Sequence, residues 1–216
     1  MIERLPHHHL SDHLLLEYAN GGLAGASAML VACHLTLCPS CRNQVEQFEA
    51  IGAAVLEAGT HINMQDNALD AVLARLDSPP LCRTNAASPA SSMFPRPLLS
   101  CLPPGEMHWR RWLPGVRTAK MNLPAEDVRA RLVRFSPGLK VPLHDHAGTE
   151  LLLVLEGEIH EGEQRFLRGD VAISEPGNSH TQRIDSQSPC TALIVNEGPL
   201  IPLTPWGRLL KLIAGL

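Results

Sequence analysis

A histidine and two cysteines near the amino terminus have the spacing of a zinc site. In the segment His34-Leu-Thr-Leu-Cys38-Pro-Ser-Cys41 they form the pattern H-x3-C-x2-C. Structural zinc takes four thiolate or imidazole ligands in a tetrahedron, and a C-x2-C turn supplies two sulfurs that converge on one point. His34 lies four residues before Cys38, so on a helix that runs into the turn its ring faces the thiols. The segment predicts three zinc ligands, and the fourth has to come from elsewhere.

Three consecutive histidines, at positions 7–9, lie upstream of this segment. They precede Ser11 and Asp12, a pair typical of a helix N-cap, so we expect one of the rings to be held in place. A C-x2-C pair is also typical of a redox dithiol, but that interpretation needs a strand-turn-helix setting, and both flanks here have a helical pattern. A disulfide is disfavoured because closing so short a loop stabilises a fold little. Structural zinc is the favoured interpretation.

A second group of potential metal ligands lies in the carboxyl-terminal half. The segment Gly138-LKVPL-His144-Asp-His146-AGT-Glu150-LLLVLE-Gly157 has the form G-x5-H-x-H-x3-E-x6-G. Residues two apart on a strand point to the same face, so His144 and His146 can enter the interior of a barrel together. Glu150 follows a short turn and can join them from the next strand.

This segment resembles the first motif of cupins and matches it at every defining position. The second cupin motif implies one more histidine, which Gly169-DVAISEP-Gly177-NS-His180 supplies. Glu175 stands where that motif usually has proline, and Ile184 replaces its last polar residue, but neither change removes a ligand. The resemblance implies a jelly-roll β-barrel whose metal is held by His144, His146, Glu150 and His180.

The same residues leave two questions open at the barrel site. Imidazoles and a carboxylate accept zinc, iron, manganese, nickel or copper, and the order of affinities does not select among them. The ligand set also leaves room for water or substrate, so catalysis is open as well. The alternative to metal binding is a polar barrel interior whose side chains satisfy one another.

Hydrophobic periodicity predicts four short helices in residues 1–77. The first begins at Ser11 and ends at Asn20-Gly21-Gly22, residues that favour a helix end. The other three are predicted over Leu23–Leu37, Pro39–Ala58 and Ala68–Asp77. Four such helices bury only a thin core, and small domains of this size commonly need a metal to stabilise them. The apolar face of the fourth helix is either core or a surface offered to a partner helix.

Residues 78–105 are rich in Pro, Ser and Ala without periodicity and are predicted to be a linker. In residues 106–216, short apolar runs separated by turn residues at roughly ten-residue intervals predict an antiparallel β domain. The runs are Trp109–Leu113, Val116–Met121, Ala130–Phe135, Leu151–Leu155, Glu158–Ile159, Val171–Ile173, His180–Ile184 and Ala192–Val195. At the end of the chain, Trp206, Leu209, Leu210 and Ile213 could pack one face of a helix onto the barrel or onto a second subunit.

Composition narrows the class of protein. The amino terminus lacks the apolar stretch of a signal peptide, and no run of 18 or more apolar residues occurs, so we expect a soluble cytoplasmic protein without a membrane partner. In that compartment the six cysteines are expected as free thiols or metal ligands. The net charge of −4 argues against direct DNA binding. Residues 1–77 hold nine acidic and three basic residues, a net −6 that indicates either a surface for a basic partner or an ordinary solvated acidic surface.

The segment HHLSD at residues 8–12, followed by His34, Cys38 and Cys41, resembles the zinc-binding anti-sigma domain of ChrR-type anti-sigma factors. The resemblance covers roughly residues 7–77 and implies zinc ligation by His9, His34, Cys38 and Cys41. Proteins of this type hold an extracytoplasmic-function sigma factor inactive, and they pair the zinc domain with a cupin domain in this order. Their signal is oxidative, singlet oxygen or related species.

The resemblance implies a two-domain sensor without catalytic residues. Its zinc domain would sequester the sigma factor until the cupin domain, which is also a candidate for homodimer formation, responds to the signal. The main alternative is a metal-dependent cupin enzyme, of dioxygenase or isomerase type, whose N-terminal domain binds a protein and localises the enzyme. A third interpretation makes the N-terminal domain an adaptor for another helical protein.

Overall fold

The computed structural model describes residues 4–23, 25–76, 94–103, 105, 107–123, 129–205 and 207. Five helices come first in these residues: α1 (Asp12–Ala19), α2 (Gly25–Leu37), α3 (Pro39–Glu57), α4 (Ala68–Leu76) and α5 (Arg96–Ser100). Eleven strands follow: β1 (Trp109–Leu113), β2 (Val116–Ala119), β3 (Arg129–Phe135), β4 (Lys140–His146), β5 (Glu150–Glu156), β6 (Glu158–Glu161), β7 (Gln164–Leu167), β8 (Val171–Ser174), β9 (His180–Ile184), β10 (Cys190–Asn196) and β11 (Leu200–Pro202).

Local capping signals set the starts of α1 and α3. The Ser11 hydroxyl accepts a hydrogen bond from the Leu14 N–H at 3.4 Å, which satisfies one of the free donors at the start of α1. Cys38 is the N-cap of α3, and Pro39 occupies the first helical position, where its missing N–H costs nothing. Helix α2 therefore ends just before Cys38, and α3 begins just after it. The four predicted helices are present close to their predicted bounds.

The fifth helix, α5, lies inside the range for which the sequence predicts a linker, so the expected count of four helices is one too few. Leu98 of α5 is fully buried, and the helix contacts α2. The remainder of that range up to residue 93 lies outside the described residues, and the two-domain boundaries remain a prediction.

The β domain consists of two antiparallel sheets, and the prediction of an antiparallel β fold is confirmed. One sheet has the strand order β1-β2-β3-β10-β5-β8, and the other has the order β11-β4-β9-β6-β7. An apolar core joins the two sheets, with Val154 and Ala192 from the first and Ile159 and Ile184 from the second. This β-sandwich, closed around an interior, brings β4, β5 and β9 together at the site described below.

A second apolar core lies between the helices and the outer face of the six-stranded sheet. Strand β5 is buried on both sides: Leu151, Leu153 and Leu155 face the helices, whereas Leu152 and Val154 face the barrel interior. Alternate residues of a strand point to opposite faces, so a strand covered on both faces becomes a continuous apolar run. The helical region and the barrel thus share one core.

In the described residues, no helix combines the length and the apolar character needed to cross a membrane. The predicted terminal helix at Trp206, Leu209, Leu210 and Ile213 lies outside the described residues.

Candidate metal centres

The first candidate centre lies where the amino-terminal segment meets the junction of α2 and α3. His9 precedes α1, His34 lies in the last turns of α2, and Cys38 and Cys41 begin α3. Their potential ligand atoms all lie within 4.8 Å of one another. The His9 Nδ1 atom is 3.3 Å from the Cys38 sulfur and 3.5 Å from the Cys41 sulfur. The structure therefore brings together all four residues named from the sequence.

The His34 ring is held in one orientation by the barrel. Its Nδ1 donates a hydrogen bond to the Gly169 carbonyl at 2.8 Å, so Nε2 carries the lone pair. This Nε2 is buried and has no hydrogen-bond partner within the described residues, which is costly for a polar atom unless a metal occupies the place of the partner. Burial lowers the pKa of His34 to about 4, so the ring is neutral at physiological pH.

Two thiols and two imidazoles, with His34, Cys38 and Cys41 buried and His9 exposed, fit tetrahedral zinc. Burial, with the neighbouring Cys38 thiol, raises the pKa of Cys41 to about 12. A bound cation would reverse that balance, because a coordinating thiol loses its proton. The flanks of the cysteine pair are both helical, and the strand-turn-helix setting of a thioredoxin-type dithiol does not occur at this place.

The second candidate centre lies inside the barrel. His144 and His146 lie on β4, Glu150 begins β5, and His180 begins β9 opposite His144. All four are buried, and their potential ligand atoms lie within 4.8 Å of one another. Asp145 points away from the cluster, as the strand periodicity predicts, and accepts a hydrogen bond from the Gly177 N–H.

The spacing of the three imidazoles is that of ligands sharing an ion. The His180 Nε2 lies 3.0 Å from the His144 Nε2 and 3.2 Å from the His146 Nε2. Two nitrogens bound to one metal at about 2.1 Å stand about 3.0–3.4 Å apart at ordinary coordination angles. The Glu150 carboxylate is 3.6 Å from the His146 Nε2 and can complete the set.

Burial governs the charges of the barrel cluster. It lowers the pKa of His146 to about 4, lowers that of His144, and raises the pKa of Glu150 to about 6. For His180 burial is the largest single effect and lowers the pKa, but the hydrogen bond to Glu161 and the negative charges of Glu161, Glu150 and Asp145 together outweigh it, so the pKa is raised. A divalent cation would favour the neutral imidazoles and the ionised carboxylate that coordination requires.

Several supporting residues were not found by sequence reasoning. The His180 Nδ1 donates to Glu161 at 3.0 Å and lies 3.2 Å from the Ser174 hydroxyl. The Asn196 amide donates to Glu150 at 2.8 Å. These contacts join residues up to 46 positions apart in the chain, and no local pattern marks them. The His146 Nδ1 has no hydrogen-bond partner within the part of the chain that the structure describes.

A cavity of about 380 Å³ opens beside the barrel cluster. Its wall is mostly apolar and includes His144 and Glu150, with Lys140 among the few charged side chains. A small apolar molecule could therefore reach two of the candidate ligands. Two other buried thiols are poor redox candidates, because burial raises the pKa of both Cys33 and Cys190 to about 12.

The chain is similar to known proteins over most of its length. A family model described as the ChrR cupin-like domain matches residues 101–201. The anti-sigma-E factor ChrR of Cereibacter sphaeroides is 34% identical over 195 residues, which cover 89% of this chain and 91% of the relative. A crystal structure of Rhodobacter sphaeroides SigE in complex with the anti-sigma ChrR matches with a TM-score of 0.76 and 33% identity, over 88% of this chain and 99% of that chain.

Proposed function

The chain belongs to the ChrR family of anti-sigma factors, and from that premise we propose that it sequesters an extracytoplasmic-function sigma factor through its N-terminal helices. Release follows when the barrel responds to singlet oxygen or a related oxidant. The function is regulated binding in the cytoplasm, without direct contact with DNA or membrane. The cupin-enzyme alternative is set aside because the relative and the solved structure that match most of this chain are anti-sigma factors.

The observation that carries this proposal is a set of apolar side chains, on α3, on α4 and in the segment between them, that the described residues leave exposed. Nine large apolar side chains between residues 51 and 76 are each at least half exposed: Ile51, Val55, Leu56, Ile62, Met64, Leu69, Val72, Leu73 and Leu76. We call this set the exposed helical face. A monomeric protein rarely leaves so large an apolar surface in water, and such a surface is typical of a protein interface.

Charge supports a sigma factor as the occupant of this face. Acidic side chains such as Glu49, Glu57 and Asp70 lie among its apolar residues, and the region up to residue 77 carries the net −6. A DNA-binding sigma factor is basic, so the two surfaces attract one another. The relative in the matched complex binds a protein of this class.

The two clusters have different roles in this proposal. His9, His34, Cys38 and Cys41 hold a structural zinc ion that fixes the angle between α2 and α3, and thereby the direction of the exposed helical face. His144, His146, Glu150 and His180 hold zinc or another divalent metal at which the signal is received. The apolar cavity beside the second cluster supports access by a small apolar oxidant.

A binding and transcription assay tests the proposal. Full-length protein is mixed with recombinant extracytoplasmic-function sigma factors, SigE of Rhodobacter sphaeroides among them, and analysed by gel filtration and by transcription from a cognate promoter. We expect co-elution with a sigma factor and loss of transcription, followed by recovery after exposure to a photosensitiser and light. Failure to bind any sigma factor of the panel contradicts the proposal, and binding without recovery contradicts its oxidative part.

A further inference from the structure

One turn of the barrel contacts the first candidate centre at two places. It bonds directly to one of the four candidate ligands, and it bonds to the backbone of the segment that carries a second one. This turn, residues 168–170, joins β7 to β8 and is called the β7–β8 turn below. Its Gly169 carbonyl accepts the His34 Nδ1–H at 2.8 Å. The Asp170 carboxylate accepts the backbone N–H groups of His7 at 2.6 Å and His8 at 3.0 Å, next to His9 in the chain.

Further contacts fix the amino-terminal segment on the barrel. The Val171 N–H donates to the His8 carbonyl at 3.2 Å, and the His8 ring lies 4.3 Å from the Phe166 ring. The other Asp170 oxygen accepts the Leu167 N–H at 2.8 Å, so the carboxylate is held rigidly. Only 1% of Asp170 is exposed, and charge-assisted bonds of this kind are stronger when shielded from water.

Gly169 lets the turn approach this closely. Its φ is +90°, and a Cβ there would lie 2.7 Å from the Pro6 Cγ and 3.4 Å from the Leu37 Cβ. The turn is thus in close contact with both the amino-terminal segment and the last residue of α2. His9 and His34, which lie on these two elements, have their relative position set by the barrel.

We propose that the barrel completes the N-terminal metal centre, with Gly169 and Asp170 as positioning residues for His34 and His9. This inference rests on the proposed metal ligation by His9, His34, Cys38 and Cys41. Residues that orient metal ligands commonly contribute a factor of about 10–100 to metal affinity. Metal affinity of the helical region is therefore a property of the whole chain.

The β7–β8 turn also connects to the second centre. The Gly169 N–H donates to the Val154 carbonyl at 2.8 Å on β5, the strand that begins with Glu150. Strand β8 leads from the turn to Ser174, which contacts His180. A change at the barrel metal that moves β5 or β8 can therefore reach His34 and His9 directly.

Cobalt titration of the metal-free full-length protein isolates the first centre. Thiolate ligands give Co²⁺ a charge-transfer absorption, and only the first cluster contains sulfur. Competition with Zn²⁺ then gives the relative zinc affinity. A wild-type protein without this absorption contradicts the proposed ligand set itself, whereas the variants below test the inference.

Two pairs of variants distinguish an effect on the position of the metal ligands from a general disturbance of the barrel. Asp170→Asn is compared with Asp185→Asn. The Asp185 carboxylate also caps a barrel turn, because it accepts the Gln187 N–H, but it contacts neither cluster. Gly169→Ala is compared with Gly138→Ala, where φ is +70° and a Cβ would meet no atom within 4 Å. Circular dichroism checks that each variant folds.

We expect Co²⁺ and Zn²⁺ to bind about 10–100-fold more weakly in Asp170→Asn and Gly169→Ala, and with wild-type affinity in the two controls. Wild-type affinity in Asp170→Asn overturns the inference. So does an equal loss in Asp185→Asn, because the effect then reflects the barrel as a whole. If Asp170→Asn fails to fold, the glycine pair decides by the same criteria.

Discussion

At the residue scale, each candidate centre includes an imidazole, His34 in the first and His180 in the second, whose remaining nitrogen is fixed by an acceptor distant in the chain. Six of the eight residues were readable from the chain, because H-x3-C-x2-C and H-x-H-x3-E are short local patterns, whereas His9 and His180 were implied by the family resemblances. Gly169 and Glu161, which orient His34 and His180, were not readable. They are joined to these rings only by the fold, in the first case across 135 positions.

Replacement of a thiol tests the first centre. Cys38→Ser removes a sulfur that also caps α3, so we expect loss of the N-terminal metal, a loosened α2–α3 junction and loss of sigma-factor binding. Elemental analysis and gel filtration with the sigma factor measure these effects. Cys101→Ser, at a half-buried cysteine outside both clusters, is the control and should behave as wild type. Full sigma-factor inhibition by Cys38→Ser would show that the metal is not structural.

Replacement of a barrel ligand tests the second centre. His144→Ala removes one of the three converging imidazoles but leaves the helices untouched, so sigma-factor inhibition should persist while the response to singlet oxygen weakens. Transcription before and after illumination with a photosensitiser measures both. The matched control is His160→Ala, because His160 is a barrel histidine paired with Glu158 at 2.8 Å, outside the cluster. A normal response in His144→Ala removes the barrel metal from the mechanism.

At the scale of elements, the helices were predictable and the small elements were not. Ser11, Pro39 and Gly21 mark helix ends by capping physics that acts within a few residues. Strands β7 and β11, each of three or four residues, carry too little periodicity to be recognised, and β4 was inferred only from the H-x-H pair. Helix α5 was missed because its five residues lie in Pro- and Ser-rich sequence and are stabilised by burial of Leu98.

The apolar pattern also left open what covers α3 and α4. Val45 of α3 is buried, whereas Ile51, Val55 and Leu56 of the same helix are exposed. Periodicity identifies an apolar face but does not tell whether the chain itself or another molecule covers it. Among the described residues, none covers the C-terminal half of α3 or the apolar side chains of α4.

A charge in the exposed helical face tests the proposed docking surface. Leu73→Asp puts a carboxylate on a half-exposed position of α4, so folding should be little affected while sigma-factor affinity falls at least about tenfold, a typical loss for a central interface residue. Calorimetric titration measures the affinity. Leu203→Asp, on a similarly exposed leucine of the barrel, is expected to bind normally. Unchanged affinity in Leu73→Asp places the interface elsewhere.

At the scale of the whole molecule, the sequence suggests two domains joined by a linker, yet the described residues share an apolar core. Leu30 of α2 belongs to the same buried cluster as Leu153 of β5 and Leu193 of β10. The shared core was not predictable from the sequence. The continuous apolar sequence of β5 indicates that both faces of the strand are buried, but it does not tell which element covers the second face. Helices and barrel therefore stabilise one another.

The shared core predicts a single unfolding transition. Trp109 and Trp112 of β1 report on the β domain by fluorescence, while far-ultraviolet circular dichroism reports mainly on the helices. In urea both signals should change together. Leu153→Ala should lower the free energy of unfolding by about 2–5 kcal/mol and keep the two signals coincident, whereas Leu16→Ala, at a half-exposed position, should change it little. Separate transitions for the two signals would falsify the shared core.

Burial of β5 on both faces has a consequence for handling the protein. Once unfolded, the chain exposes five consecutive aliphatic residues, Leu151–Leu155, with charge only at the flanking Glu150 and Glu156. Segments of this length, high β-propensity and low charge associate between chains into intermolecular sheets. Heating should therefore end in precipitation, with an apparent midpoint that shifts with scan rate and protein concentration.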